Sequence, residues 1–382
     1  MFLGCLYEIS RLCDILTTHN MIKPYYISLA ILLAACSADD QETPSVALQP
    51  ISIDLAVNAP ASRATLYNSA SELQGKQQID IRLYDSSGSS YSYTVANGTT
   101  TTTTTPNNDS PYLDWQSSSW AFYKNTDGSN VRYFWPDTFT GTSDAATEKK
   151  VDFVAFAPHT SDVITNTSAA PSITSAGVTF DVTGIPLSDD IMVGKATGQS
   201  YSTANPVHLT MHHVLSAIDV VIVLSPRMTI TELSISGIAK TGSYSGDGTT
   251  NTWTGTDGTD GIVSTTTFPD KNNNGTTGQI PGDINFGSSI TPDAPFIVLP
   301  QTLSPSAMIT LKALVNNAEK AYTFQLDTAD PNHGSTTAAA SWLPGYKYTY
   351  QLCINADDPE FGLVSVIVTP WDEQGTSDTD VE

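Results

Sequence analysis

Cysteine, basic charge and long apolar runs are all scarce in this chain, and each shortage narrows what the chain can be. Four cysteines occur in 382 residues. Cys5 and Cys13 precede an apolar segment that reads as a leader, and Cys36 closes that segment, which leaves Cys353 alone in the mature chain. No intramolecular disulfide is available to it, so stability must come from burial and strand ladders. Lysine and arginine total 16 against 39 aspartates and glutamates, a net charge of −23. A chain this acidic is repelled by nucleic acid and by anionic membrane surfaces. After the leader no apolar run is long and uncharged enough to make a transmembrane helix. No stretch carries a convincing amphipathic-helix period either.

What is present starts with MIKPYYISLAILLAAC at residues 21–36. A lysine, an apolar core too short to span a bilayer and a run of small residues are the parts of a secretory leader. Leu33-Ala34-Ala35-Cys36 has the form of a bacterial lipobox. In that reading the Cys36 thiol takes a diacylglyceryl group and becomes the mature N-terminus. Each buried methylene then contributes about 0.8 kcal/mol, so two or three acyl chains hold a soluble domain on the outer membrane. Residues 1–20 precede a better start at Met21 and read as a mis-called initiation, so residues 1–36 are set aside from the fold. The polar, proline-broken stretch at 37–50 is a tether. Its acidic pair, Asp39 and Asp40, fits a solvated linker or the acidic tract of surface-exported lipoproteins equally well.

Strand follows strand from there. Ile51, Ile53, Leu55 and Val57 alternate with Ser52, Asp54 and Ala56, which turns one face to a core. The segment 78–84 repeats the pattern, with Ile79, Ile81 and Leu83 inward and Asp80 and Arg82 outward. Residues 90–95 are its expected partner, and the threonine-rich stretch 98–109 is expected to be a solvent loop. VDFVAFAP at 151–158 is a strand ended by Pro158. In PVHLTMHHVLSAIDVVIVL at 206–224, Val207, Leu209 and Met211 share one parity, while Ile218, Val220, Ile222 and Leu224 share the other. Such a switch requires a bulge or sharp bend between His213 and Ala217. Residues 229–238 alternate again, whereas 242–287, rich in glycine, asparagine and threonine, are expected to form long loops or a flexible hairpin. Residues 308–315 and 320–326 pair across Asn316-Asn317, and Tyr346, Tyr348 and Tyr350 alternate after a turn at 342–345. Val364, Val366 and Val368 make the last strand. The residues after Cys36 exceed the roughly 250–300 at which one core stops growing. The expectation is an all-β chain of two sandwiches in tandem, at residues 37–205 and 206–382.

Candidate chemistry is thin. His208 and His212 point the same way on a strand but stand about 13 Å apart, too far for one metal ion unless a bulge closes the gap. Asp270 to Gly275 imitate half a calcium loop, yet Pro281 stands where the bidentate acid belongs. Gly242-Ser243-Tyr244-Ser245-Gly246 lacks the pattern of a nucleophile elbow. No phosphate loop or histidine–cysteine set occurs, so neither metal, cofactor nor enzymatic activity is expected. Trp115, Trp120, Trp135 and Trp253 could stack on sugar rings if exposed together, although a sandwich more often uses such rings as core plugs.

Several segments, in their order and spacing, resemble the fimbrillins of Bacteroidetes. They are the lipobox at Cys36, VDFVAFAP at 151–158, DDIMVGKATG at 189–198 and PVHLTMHHVLSAIDVVI at 206–222. LPQTL at 299–303, WLPGYKYTYQL at 342–352 and VSVIVTPW at 364–371 follow. The resemblance implies two transthyretin-like β-sandwiches with Greek-key-type connections, in a pilus subunit at the cell surface. It also implies partners: other pilin subunits, the outer membrane through the lipid, and a host or bacterial surface ligand. In the family an arginine-specific protease cuts near the start of the first domain, and loss of the leading strand opens a groove that the next subunit fills. Here the matching bond is Arg63–Ala64, just past the strand that carries Ile51, Ile53, Leu55 and Val57. Losing those residues would bare apolar surface and unpaired backbone, which another strand would restore.

One departure matters. Stalk subunits of the family carry an extra apolar strand at the C-terminus for donation, whereas DEQGTSDTDVE at 372–382 is acidic. Either the strand with Val364, Val366 and Val368 is itself the donor, or this subunit accepts without donating, which suits a tip or adhesin. Two other readings are an anchor subunit that keeps its first strand, and a lipid-anchored surface protein that captures glycan through exposed aromatics.

Overall fold

The alternating segments become strands throughout a computed structural model of the chain. It describes residues 50–57, 73–74, 78–91, 93–97, 100–104, 106–135, 150–159, 170–185, 187, 190–200, 206–224, 229–268, 289–292, 294–327, 339–354 and 361–370. The first strands are β1 (Ile53–Val57), β2 (Ile79–Asp85), β3 (Tyr93–Asn97) and β4 (Thr100–Thr104). After a short helical turn at Pro106–Asp109 come β5 (Tyr112–Gln116), β6 (Ser119–Tyr123), β7 (Asn130–Val131) and β8 (Val151–Ala157). Next are β9 (Ser172–Ile173), β10 (Val178–Val182), β11 (Met192–Gln199) and β12 (Val207–His213). The second half opens with β13 (Ser216–Leu224), β14 (Thr229–Ile238), β15 (Gly242–Gly246), β16 (Asn251–Thr254) and β17 (Gly261–Thr265). It continues with β18 (Ser289–Ile290), β19 (Phe296–Val298), β20 (Gln301–Thr302) and β21 (Met308–Val315). The last strands are β22 (Ala318–Gln325), β23 (Ser341–Trp342), β24 (Tyr346–Ile354) and β25 (Phe361–Pro370). Among the described residues no helix is long and apolar enough to cross a membrane.

An eight-stranded sheet runs β1-β12-β11-β8-β2-β5-β6-β7. It rolls until its ends approach: β1 lies against β6, and the Ile51 N–H donates to the Tyr133 carbonyl at 2.8 Å. Its concave side holds Ile79, Ile81, Leu83, Leu113, Phe153, Leu209 and Met211, all fully buried. On the other side of β8 and β11 lies the four-stranded sheet β16-β15-β10-β9, where Phe180 and Tyr244 pack with Val154, Phe156 and Val193. In the second half the sheet β18-β13-β24-β25, with β19 on β13, faces β17-β14-β21-β22. Between those two sheets, Ile218, Val220, Tyr350 and Leu352 meet Leu233, Ile235, Ile309 and Leu311 in one core. The chain is all-β, in several sheets.

The parity switch resolves as a change of sheet. β12 ends at His213, Val214 and Leu215 turn, and β13 starts in a different sheet. Both turning residues are fully buried, so the bend itself plugs the space between layers. Pairing also runs across position 205/206: β12 belongs to the rolled sheet, and β15 pairs with β10. β21 and β22 pair across Asn316 and Asn317, whose φ angles of 52° and 65° suit a two-residue hairpin turn that asparagine tolerates.

Three expectations are corrected and one alternative is decided. Thr100–Thr104 is no loop but pairs with β3, because a run of β-branched threonines favours extended backbone whatever its complexity. That pairing takes β3 away from β2, which keeps only a bridge between Tyr84 and Ser90. Within 242–265 the hairpin alternative holds and the loop alternative does not: Tyr244 and Trp253 face each other across the β15–β16 hairpin and pack against Phe180, and β17 adds a strand on β14. Asp80 is buried rather than exposed: its strand is covered on both faces, and its carboxylate lies 2.7 Å from His159 Nδ1.

Candidate functional site

The candidate site is built around β1. Its burial alternates buried, exposed, buried, exposed, buried, as the alternation of Ile53, Leu55 and Val57 with polar or small residues dictates. None of Ile51, Ile53, Leu55 and Val57 is more than 8% exposed, so the whole apolar face lies in the core. β1 runs parallel to β12, with Ile53 beside Val207, Leu55 beside Leu209 and Val57 beside Met211. The three β12 partners are themselves buried, and together they form the wall that β1 covers. At the start of β1, Pro50 bridges Phe134, and the Val207 N–H donates to the Ser52 carbonyl at 2.9 Å. Tyr91 braces the same seam, its hydroxyl donating to the Phe134 carbonyl at 2.8 Å. On the solvent face Asp54 and His208 form a contact of 3.0 Å, with both side chains mostly exposed.

β1 is thus an end strand, joined by a ladder to β12 and by its first residues to the segment after β7. Burying four aliphatic side chains contributes roughly 1.5–3 kcal/mol each as an upper bound. Any strand of matching pattern would recover most of that. Cys36, Arg63 and Ala64 lie outside the described residues.

The C-terminal candidates sit on β25. Val366 packs partly against the second core, while Val368 is 47% exposed. Val364 falls where the register slips, since Ser365 opposes Gln351 and Leu363 opposes Leu352. The even alternation expected over Val364, Val366 and Val368 therefore breaks at a bulge.

The remaining candidates are held in structural contacts. His208 meets Asp54, and buried His213 lies 2.7 Å from buried Asp190. Among the described residues no three His, Cys, Asp or Glu side chains gather as metal ligands. Residues 270–275 lie outside the described set. Gly242–Gly246 is a strand in a sheet, so Ser243 and Ser245 occupy no strand-to-helix elbow. The tryptophans are divided between cores: Trp115 packs edge-on against Trp120, and Trp135 against Phe153. Trp253 donates its indole N–H to the Val214 carbonyl at 2.9 Å. They form no shared exposed platform. Asp247 caps the β15–β16 turn: burial raises its carboxyl, but hydrogen bonds from Thr250 and Thr249 and the nearby Lys195 outweigh this and hold it below the usual range.

Sequence reasoning identified the β1 face and the β12 face separately. It missed that they pair, because about 150 residues separate them and a parallel pairing leaves no local turn signal. It also missed the buried Asp80–His159 and Asp190–His213 pairs.

A family model described as fimbrillin-like matches residues 62–371. The chain resembles a fimbrial protein from Bacteroides vulgatus at 15% identity and a TM-score of 0.53, covering 85% of this chain and 99% of that one. It also resembles a candidate cell adhesion protein from Bacteroides uniformis (16% identity, TM-score 0.43, 86% and 99% covered). A C-terminally truncated tip fimbrial protein, Mfa3, from Porphyromonas gingivalis matches at 10% identity and a TM-score of 0.39, with 83% and 99% covered. The first of these supports the fold. No curated protein matches the chain.

Proposed function

The chain belongs to the fimbrillin-like family, and on that premise we propose that it is a structural, non-catalytic subunit of a cell-surface pilus, assembled with other pilin subunits by exchange of its first strand. Cys36 carries the lipid that brings the precursor to the outer membrane, and cleavage between Arg63 and Ala64 frees β1. The strand with Ile51, Ile53, Leu55 and Val57 then leaves, and a neighbour's strand takes its place along Val207, Leu209 and Met211. Residues 1–36 act as leader, and 37–205 and 206–382 supply the two sandwiches, with β12, β15 and β16 of the second stretch lying in sheets of the first. The two are joined by pairing that crosses 205/206.

The observation that carries this reading is the position of β1 at the end of the rolled sheet, with its apolar face buried and a ladder on one side only. Its departure breaks the β12 ladder, the Pro50–Phe134 bridge and the Ile51–Tyr133 hydrogen bond, and leaves every other ladder of the sheet intact. The bulge at Val364 and the antiparallel ladder of β25 to β24 favour a subunit that accepts but does not donate, as a tip or adhesin would.

Treatment of the purified chain with an arginine-specific protease, followed by intact-mass analysis and gel electrophoresis, tests the proposal. The expected result is a chain beginning at Ala64 that forms SDS-resistant complexes once a pilin subunit carrying a donor strand is added, while Arg63→Ala stays uncut and forms none. A cut chain that keeps its first strand and remains monomeric would overturn it.

A further inference from the structure

A wall of Val207, Leu209 and Met211 does not tell one aliphatic strand from another, because apolar burial has no direction. The backbone bonds of a ladder are the same for every sequence, so they hold a strand without choosing it. Discrimination has to come from the other face of the same ladder. There β12 turns His208 and Thr210 outward, and β1 sets Asp54 beside His208 and Ala56 beside Thr210. Asp54 Oδ2 lies 3.0 Å from His208 Nδ1, with the two side chains 58% and 68% exposed. Ala56 adds only a methyl group beside Thr210, so His208 is the position on that face with chemistry to read. The contact crosses the ladder by which β1 joins the sheet. It leaves with β1 and is open to whatever strand follows.

We propose that His208 selects the incoming strand: the segment that replaces β1 carries a carboxylate beside His208, between aliphatic residues seated on Val207 and Leu209. This rests on the strand exchange proposed above and adds the chemistry of the partner, an aliphatic–acid–aliphatic strand of another pilin subunit. The same contact sets the register. A slip by one residue would turn the acid onto the apolar wall, where an unpaired carboxylate is costly to bury. Surface pairs are weak, so the choice is graded: a few-fold in affinity rather than all or none.

The test is peptide entry into the chain cut by an arginine-specific protease, followed by fluorescence anisotropy with labelled peptide in excess over the released first strand. One peptide is Ile51–Val57; the other exchanges its polar residues, Ser52→Asp with Asp54→Ser. Both have the same charge and the same apolar face, so the field of a chain carrying −23 acts equally on them. The first should bind about two- to fivefold tighter. His208→Ala in the cut chain should erase that difference, and His208→Glu should reverse it, each with an unchanged melting temperature because His208 is exposed. Equal binding of the two peptides, or a preference that survives His208→Ala, would overturn the inference and leave strand exchange standing. Entry of neither peptide would overturn strand exchange itself, and selection by His208 with it.

Discussion

Buried polar side chains decide how much a single substitution costs here. Trp342 is almost fully buried and donates its indole N–H to the Tyr350 hydroxyl at 2.9 Å; Leu343 N–H donates to the Tyr348 hydroxyl at 2.8 Å. Tyr350→Phe strands the indole donor and should destabilise the chain by about 1–3 kcal/mol in urea unfolding. Burial also pushes the Tyr350 and Tyr244 hydroxyls well above the ordinary tyrosine value of 10.0. In both, the unfolded form ionises first, so stability is full below pH 10 and falls as pH rises beyond it. Unfolding midpoints measured either side of that value should drop on the alkaline side. Asp80→Ala leaves His159 buried without its carboxylate and should cost about 3–5 kcal/mol. Neither pair was legible beforehand: Asp80 sits at a position that alternation assigns to solvent, and only the second sheet packed over β2 makes it interior.

Alternation read most elements correctly, because a half-buried strand writes its two faces into every second residue. β1, β8, β14, β21 and β24 were visible in this way, and so was the bend at Val214–Leu215. Composition misled where it was taken for conformation. Glycines and threonines at 242–265 left loops and a hairpin equally open, and Tyr244 and Trp253 at facing positions favour the hairpin. Some glycines are required by geometry rather than tolerated. Gly237 has φ +73° at the register slip in β14, and a Cβ there would overlap the Ser306 carbonyl. Gly237→Ala should therefore lower stability by more than about 1 kcal/mol, read as a lower denaturant midpoint with an unchanged m-value.

At the scale of the whole molecule, the all-β class and the apolar faces followed from the residues, whereas the pairing of β1 with β12 did not. That pairing gives the proposal of strand exchange its physical content: a short parallel end strand covers a wall of Val207, Leu209 and Met211. The decisive measurement is the structure of the multimer formed after cleavage at Arg63. The account predicts a strand from a neighbouring subunit along Val207, Leu209 and Met211, its alternate aliphatic side chains in the places left by Ile53, Leu55 and Val57. Finding residues 51–57 of the same chain still seated there, with the subunits joined elsewhere, would contradict it.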